Sequence, residues 1–262
     1  MKVKFRTRYD RVCSIGHYCA TAMYMRRHFL RSASGPLDWM AGSPRGLALN
    51  VSLVCGGFEG FLRKDRLRPM ENLKTESDDL DHDYYMDEGT GMASYHDFPA
   101  GVPLEQSYAK VREKYDRRIA RFYATVPTGR TLLVFHTKCE PPTEAETVAA
   151  AEKLRGRLGS GVDLLVIENV DSVAEAQFTE PAPGVYLARG RFHRPEKDRV
   201  LGDRELCDRV YGAIRCKGRL SRRLRAWYLK TLAKAASAFV IGGERRRAVR
   251  ARLSGRGGGV FN

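Results

Sequence analysis

No stretch of this 262-residue chain is apolar for long enough to cross a bilayer as a helix. A spanning helix needs about 20 consecutive apolar residues, and runs such as "LLVIENV" fall far short. The opening "MKVKFRTRYD" carries charge but no apolar core of signal-peptide length. A cytoplasmic protein is the expectation. Cysteines are few and scattered. The six, at 13, 19, 55, 139, 207 and 216, include no Cys-x-x-Cys pair, which argues against a disulfide framework or a zinc site. Cys13, His17 and Cys19 lie close together, but nothing completes the set of about four ligands that a tetrahedral metal needs. Neither a metal nor another cofactor is expected. Repeats are absent, as are the Gly-x-Gly-x-x-Gly and Gly-Lys-Ser phosphate loops.

Acids are almost missing from the C-terminal end. Residues 217–262 hold 13 Lys and Arg against the single acid Glu244, so the first 216 residues carry only +3 of the net +15. The body is nearly balanced, and the tail is the basic element. The expected division is therefore an α/β domain over 1–216 and a basic appendage over 217–262.

Along the body, strands and helices alternate. "RVCSIG" reads as a strand and glycine turn, followed by a helix starting near Cys19. Val111, Tyr115, Ile119 and Phe122 recur at helical spacing, the pattern stops before Pro127, and "TLLVFHT" follows as a continuous apolar strand. Thr143 and Glu146 form a Thr-x-x-Glu capping box at the head of a helix. "VDLLVIENV" and "GVYLARGRF" read as further strands, and "DRELCDRVYGAIR" as a helix. Continuous apolar strands alternating with helices predict a mainly parallel sheet covered on both faces. Residues 65–105 break the rule. They are acidic, aromatic and turn-rich, and read as a long insertion or lid. Ligands bind at the carboxyl ends of the strands in open α/β sheets. That rule groups Ser14 to Cys19, His136 to Cys139, and Glu168 to Asp171.

The segment "SIGHYCATAMYMRRHFLRSASGPLDWM" resembles a bacterial family of unknown function described as papain-like cysteine peptidases. Ser14-Ile15-Gly16, Cys19, Ala22, Arg26, Arg27, Leu30-Arg31, Ser34 and Pro36-Leu37-Asp38-Trp39 carry the pattern. Leu37 stands where the family has Phe. His96-Asp97-Phe98 and the stretch Lys114 to Phe122 also fit, and the basic tail lies outside the resemblance. The resemblance implies a cysteine peptidase or acyl transferase with Cys19 as nucleophile and His96 as base. The frequent association of such proteins with surface-polysaccharide gene clusters implies glycan-related chemistry as an alternative.

The residue types suit the first reading. A helix N-terminus and a nearby imidazolium both favour the reactive thiolate. Asp38 could orient the imidazole, with Asp97 the adjacent alternative. Backbone N–H groups from Gly16 to Cys19 would form an oxyanion hole. The plain alternative is that Cys19 is a small buried hydrophobe. The same strand-glycine-helix turn could instead hold the phosphate of a nucleotide-sugar. Ser14 and Gly16 would then line the site, and Arg26, Arg31 or the pair Arg117 and Arg118 would add charge. His136 with Glu168 is a third constellation, a base with its orienter or simply a strand end and a solvated acid.

In the tail, Leu220, Leu224, Tyr228, Leu232, Ala236 and Phe239 recur at four-residue steps beside Trp227, with Arg and Lys between them. A basic amphipathic helix suits an anionic membrane surface, here over residues 219–252, or else a docked terminal helix. A non-catalytic scaffold attached to the inner face of a membrane is the third functional reading. The remainder, "ERRRAVRARLSGRGGG", reads as mobile. Nucleic acid ranks last, because no recognition motif accompanies the charge.

Overall fold

Leu132 to Phe135 and Leu164 to Ile167 offer water no polar face, so their strands must be covered on both sides. The computed structural model is described for residues 1–16, 19–42, 46–70, 81–137, 141–169, 173–190, 202–238, 243, 245 and 248–249. Along the chain run β1 (Arg11–Ser14), α1 (Cys19–Arg27), β2 (Met40–Ala41), α2 (Gly46–Cys55), β3 (Leu67–Pro69), β4 (His82–Asp87), β5 (Met92–Pro99), α3 (Leu104–Thr125), β6 (Thr131–Thr137), α4 (Glu144–Leu158), β7 (Val162–Asn169), β8 (Gln177–Ala182), β9 (Val185–Gly190), α5 (Arg204–Ala213) and α6 (Arg219–Ala238).

The main sheet has the order β1-β6-β7-β9-β8. Its first four strands are parallel, and β8 closes one edge antiparallel. This is the mixed α/β architecture with a mostly parallel sheet that the alternation predicts. Alternate residues of β6 and β7 feed two separate cores. Leu133, Phe135, Leu164 and Val166 join side chains from α2, α3 and α4 on one face. Leu132, Val134, Leu165 and Ile167 join side chains from α1 and α5 on the other. The capping box forms as read: Glu146 N donates to Thr143 Oγ1 at 3.2 Å, and Thr143 N donates to Glu146 Oε2 at 2.7 Å.

The stretch 65–105, read as an insertion or lid, supplies β3, β4 and β5 of a second, antiparallel sheet, ordered β2-β5-β4-β3. Leu67, Tyr85, Met92 and Phe98 from this sheet lie in the same core as α2 and α3. Asp83, Asp87 and Asp97 lie within its strands, and such acids hide the two-residue period. The sequence also gives no sign of α2, since a ten-residue apolar run fits a buried strand as well as a buried helix.

By contact density the chain divides into two compact units, Met1–Cys216 and Lys217–Asn262. All the strands and α1 to α5 belong to the first, and α6 belongs to the second. Among the described residues no helix is long and apolar enough to cross a membrane, and no disulfide forms. Residues 250–262 of the tail, Phe239 of its stripe, His17 and Cys139 lie outside the described residues.

Candidate active site

β1 ends at Ser14, the chain turns at Gly16, and α1 begins at Cys19. The pairing with β6 runs on into the turn. Ile15 N donates to Val134 O at 2.9 Å, and His136 N donates to Gly16 O at 3.2 Å. Gly16 has φ 95°, a left-handed conformation that costs glycine nothing. A Cβ there would also lie 2.3 Å from Asn50 Nδ2. That Asn50 amide, fully buried, donates to Ile15 O at 2.5 Å and pins the turn against α2. The Gly16 N–H donates to Ser14 Oγ at 3.0 Å. It is therefore already engaged, and residues 17–18, which would share in the expected oxyanion hole, lie outside the described residues.

Cys19 is partly exposed at the head of α1. Its charge acts on Tyr95 of β5. Burial raises the Tyr95 phenol above its ordinary value, and the charge on Cys19 raises it further. His96 follows directly. The β4–β5 register shifts between Asp83 and Tyr85, which leaves extra residues of β5 in the stretch 95–97. Such bulges re-aim side chains, often beside active sites. The His96 ring is met edge-on by Trp39 at 6.4 Å and by His82 at 6.0 Å between centroids. The other thiol near this turn is of a different kind. Burial, and then the Asp38 carboxylate, push Cys13 up to about 12, which keeps it protonated.

The two carboxylates read as orienters of His96 have other partners. Asp38 Oδ2 accepts from Arg31 Nε at 2.9 Å, Arg31 Nη2 at 2.7 Å and Gly35 N at 2.9 Å. Its other oxygen, Oδ1, is buried without a hydrogen bond. Asp97 accepts from Ser94 Oγ and the Tyr115 hydroxyl, both at 2.6 Å, and from the Lys114 ammonium. The direct Asp38–imidazole contact is thus replaced by a relay. Arg31 is held by Asp38, lies 5.2 Å from the Trp39 ring centre, and Trp39 meets His96. The cause is local: the guanidinium lies only seven residues from Asp38, and a buried carboxylate takes the strongest donor within reach.

Arg31 is consequently drawn in, partly buried, against Asp38 and Ser34, while Arg26 at the end of α1 is exposed. With the Gly16 amide also engaged, two of the features that would recruit phosphate are turned inward. His136 and Glu168 do not meet either. They follow the alternation of their strands to opposite faces of the sheet. Glu168 Oε2 accepts from Arg189 Nε at 2.9 Å. His136 Nε2 faces Asn169 Nδ2. Asn169 Oδ1 accepts from Asp203 N at 2.7 Å, which fixes the amide with its NH₂ toward the ring. His136 Nε2 is therefore the accepting atom of that pair.

Two residues beside the site escaped the sequence reading. Asn50 carried a usable signal, a polar residue within the apolar run "GLALNVSLVC", and Tyr95 carried only its place next to His96. Asn169 fell within the grouped stretch Glu168 to Asp171, without a role of its own. Among the described residues no cluster of three or more His, Cys, Asp or Glu could hold a metal.

A family model described as "Putative papain-like cysteine peptidase (DUF1796)" matches residues 10–160, more than half of the chain. The chain belongs to that family. The family match opens at β1 and closes just beyond α4, so Cys19, Asp38, Asn50 and His96 lie inside it. β7, β8, β9, α5 and α6 lie outside it. An uncharacterized protein of Acanthamoeba polyphaga mimivirus is 26% identical over 144 residues, covering 49% of this chain and 61% of the relative. The chain thus spans about three fifths of the length of this curated relative. No solved structure matches the chain.

Proposed function

We propose that the chain is a cysteine-dependent hydrolase or acyl transferase with Cys19 as nucleophile and His96 as general base. One observation carries the reading: Cys19 opens α1 and is electrostatically coupled to Tyr95, the residue before His96. The first turn of a helix favours a thiolate through its unpaired N–H groups and dipole. Partial exposure leaves that thiolate within reach of a substrate.

In the proposed reaction the Cys19 thiol gives its proton to the His96 imidazole. The thiolate then adds to the carbonyl carbon of an acyl group borne on an amine or alcohol, such as a peptide or an acylated glycan. The imidazolium returns its proton to the leaving nitrogen or oxygen as the C–N or C–O bond breaks, and a thioester remains. Water, or a second acceptor, gives a proton to His96 and attacks the thioester; the C–S bond breaks, the acid or the acylated acceptor leaves, and the imidazolium returns the proton to the sulfur. Nucleophile–base pairs of this kind recur on unrelated folds, and a parallel α/β sheet can present one. A reduced thiol of this type suits the cytoplasm.

The test is the pH dependence of Cys19 alkylation by iodoacetamide, with Cys19→Ser identifying the labelled site. The expected inflection lies well below the ordinary thiol value of about 8.5 and disappears in His96→Ala. An ordinary inflection, or one that His96→Ala leaves unmoved, would overturn the assignment.

A further inference from the structure

α6 turns the wrong side outward for a helix that serves only its own unit. Leu220, Leu224, Trp227, Tyr228 and Leu232 fall at three- and four-residue steps on one stripe, and all five are exposed. Trp227 keeps 65% of its surface and Leu220 67%. On the opposite side the buried residues are small: Ala233 and Ser237. The residues the helix buries are small and its large apolar ones stand in water, an arrangement that marks an interaction surface.

The charges say what covers the stripe. Arg223, Lys230 and Lys234 line one of its edges and Arg225 the other, and no Asp or Glu occurs between Lys217 and Gly243. Long cationic side chains can lay their stems along an apolar stripe and keep their heads in a polar layer. Trp and Tyr are the side chains that settle between hydrocarbon and water. A second copy of the same helix is disfavoured, since pairing two stripes would bring two sets of like charges together. Nucleic acid would satisfy the cations and leave the leucines wet.

We propose that α6 is a membrane-docking helix that lies in the headgroup layer of an anionic bilayer, with Leu220, Leu224, Trp227, Tyr228 and Leu232 facing the acyl chains. Binding is additive from two sources, burial of the stripe and attraction of Arg and Lys to anionic headgroups. It is independent of the Cys19 chemistry.

The experiment is sedimentation of the full chain with vesicles of phosphatidylcholine alone, or of phosphatidylcholine and phosphatidylglycerol in equal parts. The expected result is binding to the mixed vesicles that weakens with salt, and little binding to the neutral ones. Leu224→Ser with Trp227→Ser should weaken it about tenfold or more, as should Arg223→Glu with Lys234→Glu. Brominated lipid should quench the wild-type tryptophan fluorescence and leave that of the Trp227→Ser variant, which retains Trp39, unchanged. Cys19→Ser should bind like the wild type, so failure here is separate from failure of the catalytic assignment. No binding to the anionic vesicles would overturn the proposal. So would binding that survives loss of the stripe, or self-association that the Leu224→Ser, Trp227→Ser variant abolishes in place of lipid binding.

Discussion

Trp39 meets His96 edge to face, with ring centroids 6.4 Å apart and planes at 90°. The buried indole follows directly on Asp38 in the chain and carries the Arg31 guanidinium over its own ring. Three residues from the loop after α1 thus form a platform against which the imidazole rests. Trp39 and His82 pack against the His96 ring, and the Asp38 and Asp97 carboxylates take Arg31 and Tyr115 among their partners.

Removing the platform should cost both stability and site geometry. Trp39→Ala empties a fully enclosed volume and is expected to destabilise the fold by about 3–5 kcal/mol. Trp39→Phe keeps a ring in place and should cost less. Urea denaturation gives the stabilities. In Trp39→Ala the Cys19 alkylation profile should move toward that of His96→Ala.

The Asp38–Arg31 pair is expected to behave as a buried ion pair. Asp38→Ala leaves a guanidinium buried without its carboxylate and should cost about 3–5 kcal/mol. Adding Arg31→Met should recover part of that loss, because the stranded charge is then gone. A double variant less stable than the sum of both single variants would contradict this account.

Asp97 gives the clearest pH dependence. Burial pushes its carboxyl up, but the Lys114 charge and the hydrogen bonds from Lys114, Ser94 and Tyr115 outweigh that and hold it below its ordinary value. A depressed folded value stabilises the fold above the unfolded value of about 3.9 and is lost as pH falls through the folded value. Asp97→Asn should therefore be less stable than wild type at neutral pH, by about 1–3 kcal/mol. The gap should narrow as the pH drops below about 4. Thermal or urea unfolding across pH 2–7 would test it, and a gap that widened toward acid would refute it.

Gly16 and Asn50 should be coupled. Gly16→Ala puts a Cβ at φ 95° and into the Asn50 amide, for an expected loss of about 1–3 kcal/mol from backbone strain together with the clash. Asn50→Ala removes the amide and leaves the Ile15 carbonyl without its donor, costing about 1–3 kcal/mol. The double variant should be more stable than the summed losses imply, since the clash partner is gone. Strict additivity would mean that the amide yields freely.

The parallel strands of the main sheet and the helices α1, α3, α4 and α5 were legible because their signals are local. "TLLVFHT" has an unbroken apolar centre, Leu132 to Phe135, and forms β6 over the same residues. Thr143 and Glu146 name their own helix start, because a capping box closes within four residues. The second sheet was not legible. β2 has two residues and β3 three, and strands this short gain their identity from partners far along the chain. Asn50 shows the same limit at the site, since its role depends on Ile15, 35 residues away.

By itself the sequence determined a strand, a glycine turn and a helix that opens on Cys19, because strand periodicity, left-handed turns and helix starts are set by neighbours in the chain. It also determined a tail without acids, because charge is a property of composition. Only the tertiary structure decided that Asp38 binds Arg31 in place of His96, and that His136 and Glu168 face opposite sides of the sheet. Those outcomes depend on which groups compete for one buried carboxylate and on strand register, and both are settled by packing between distant segments.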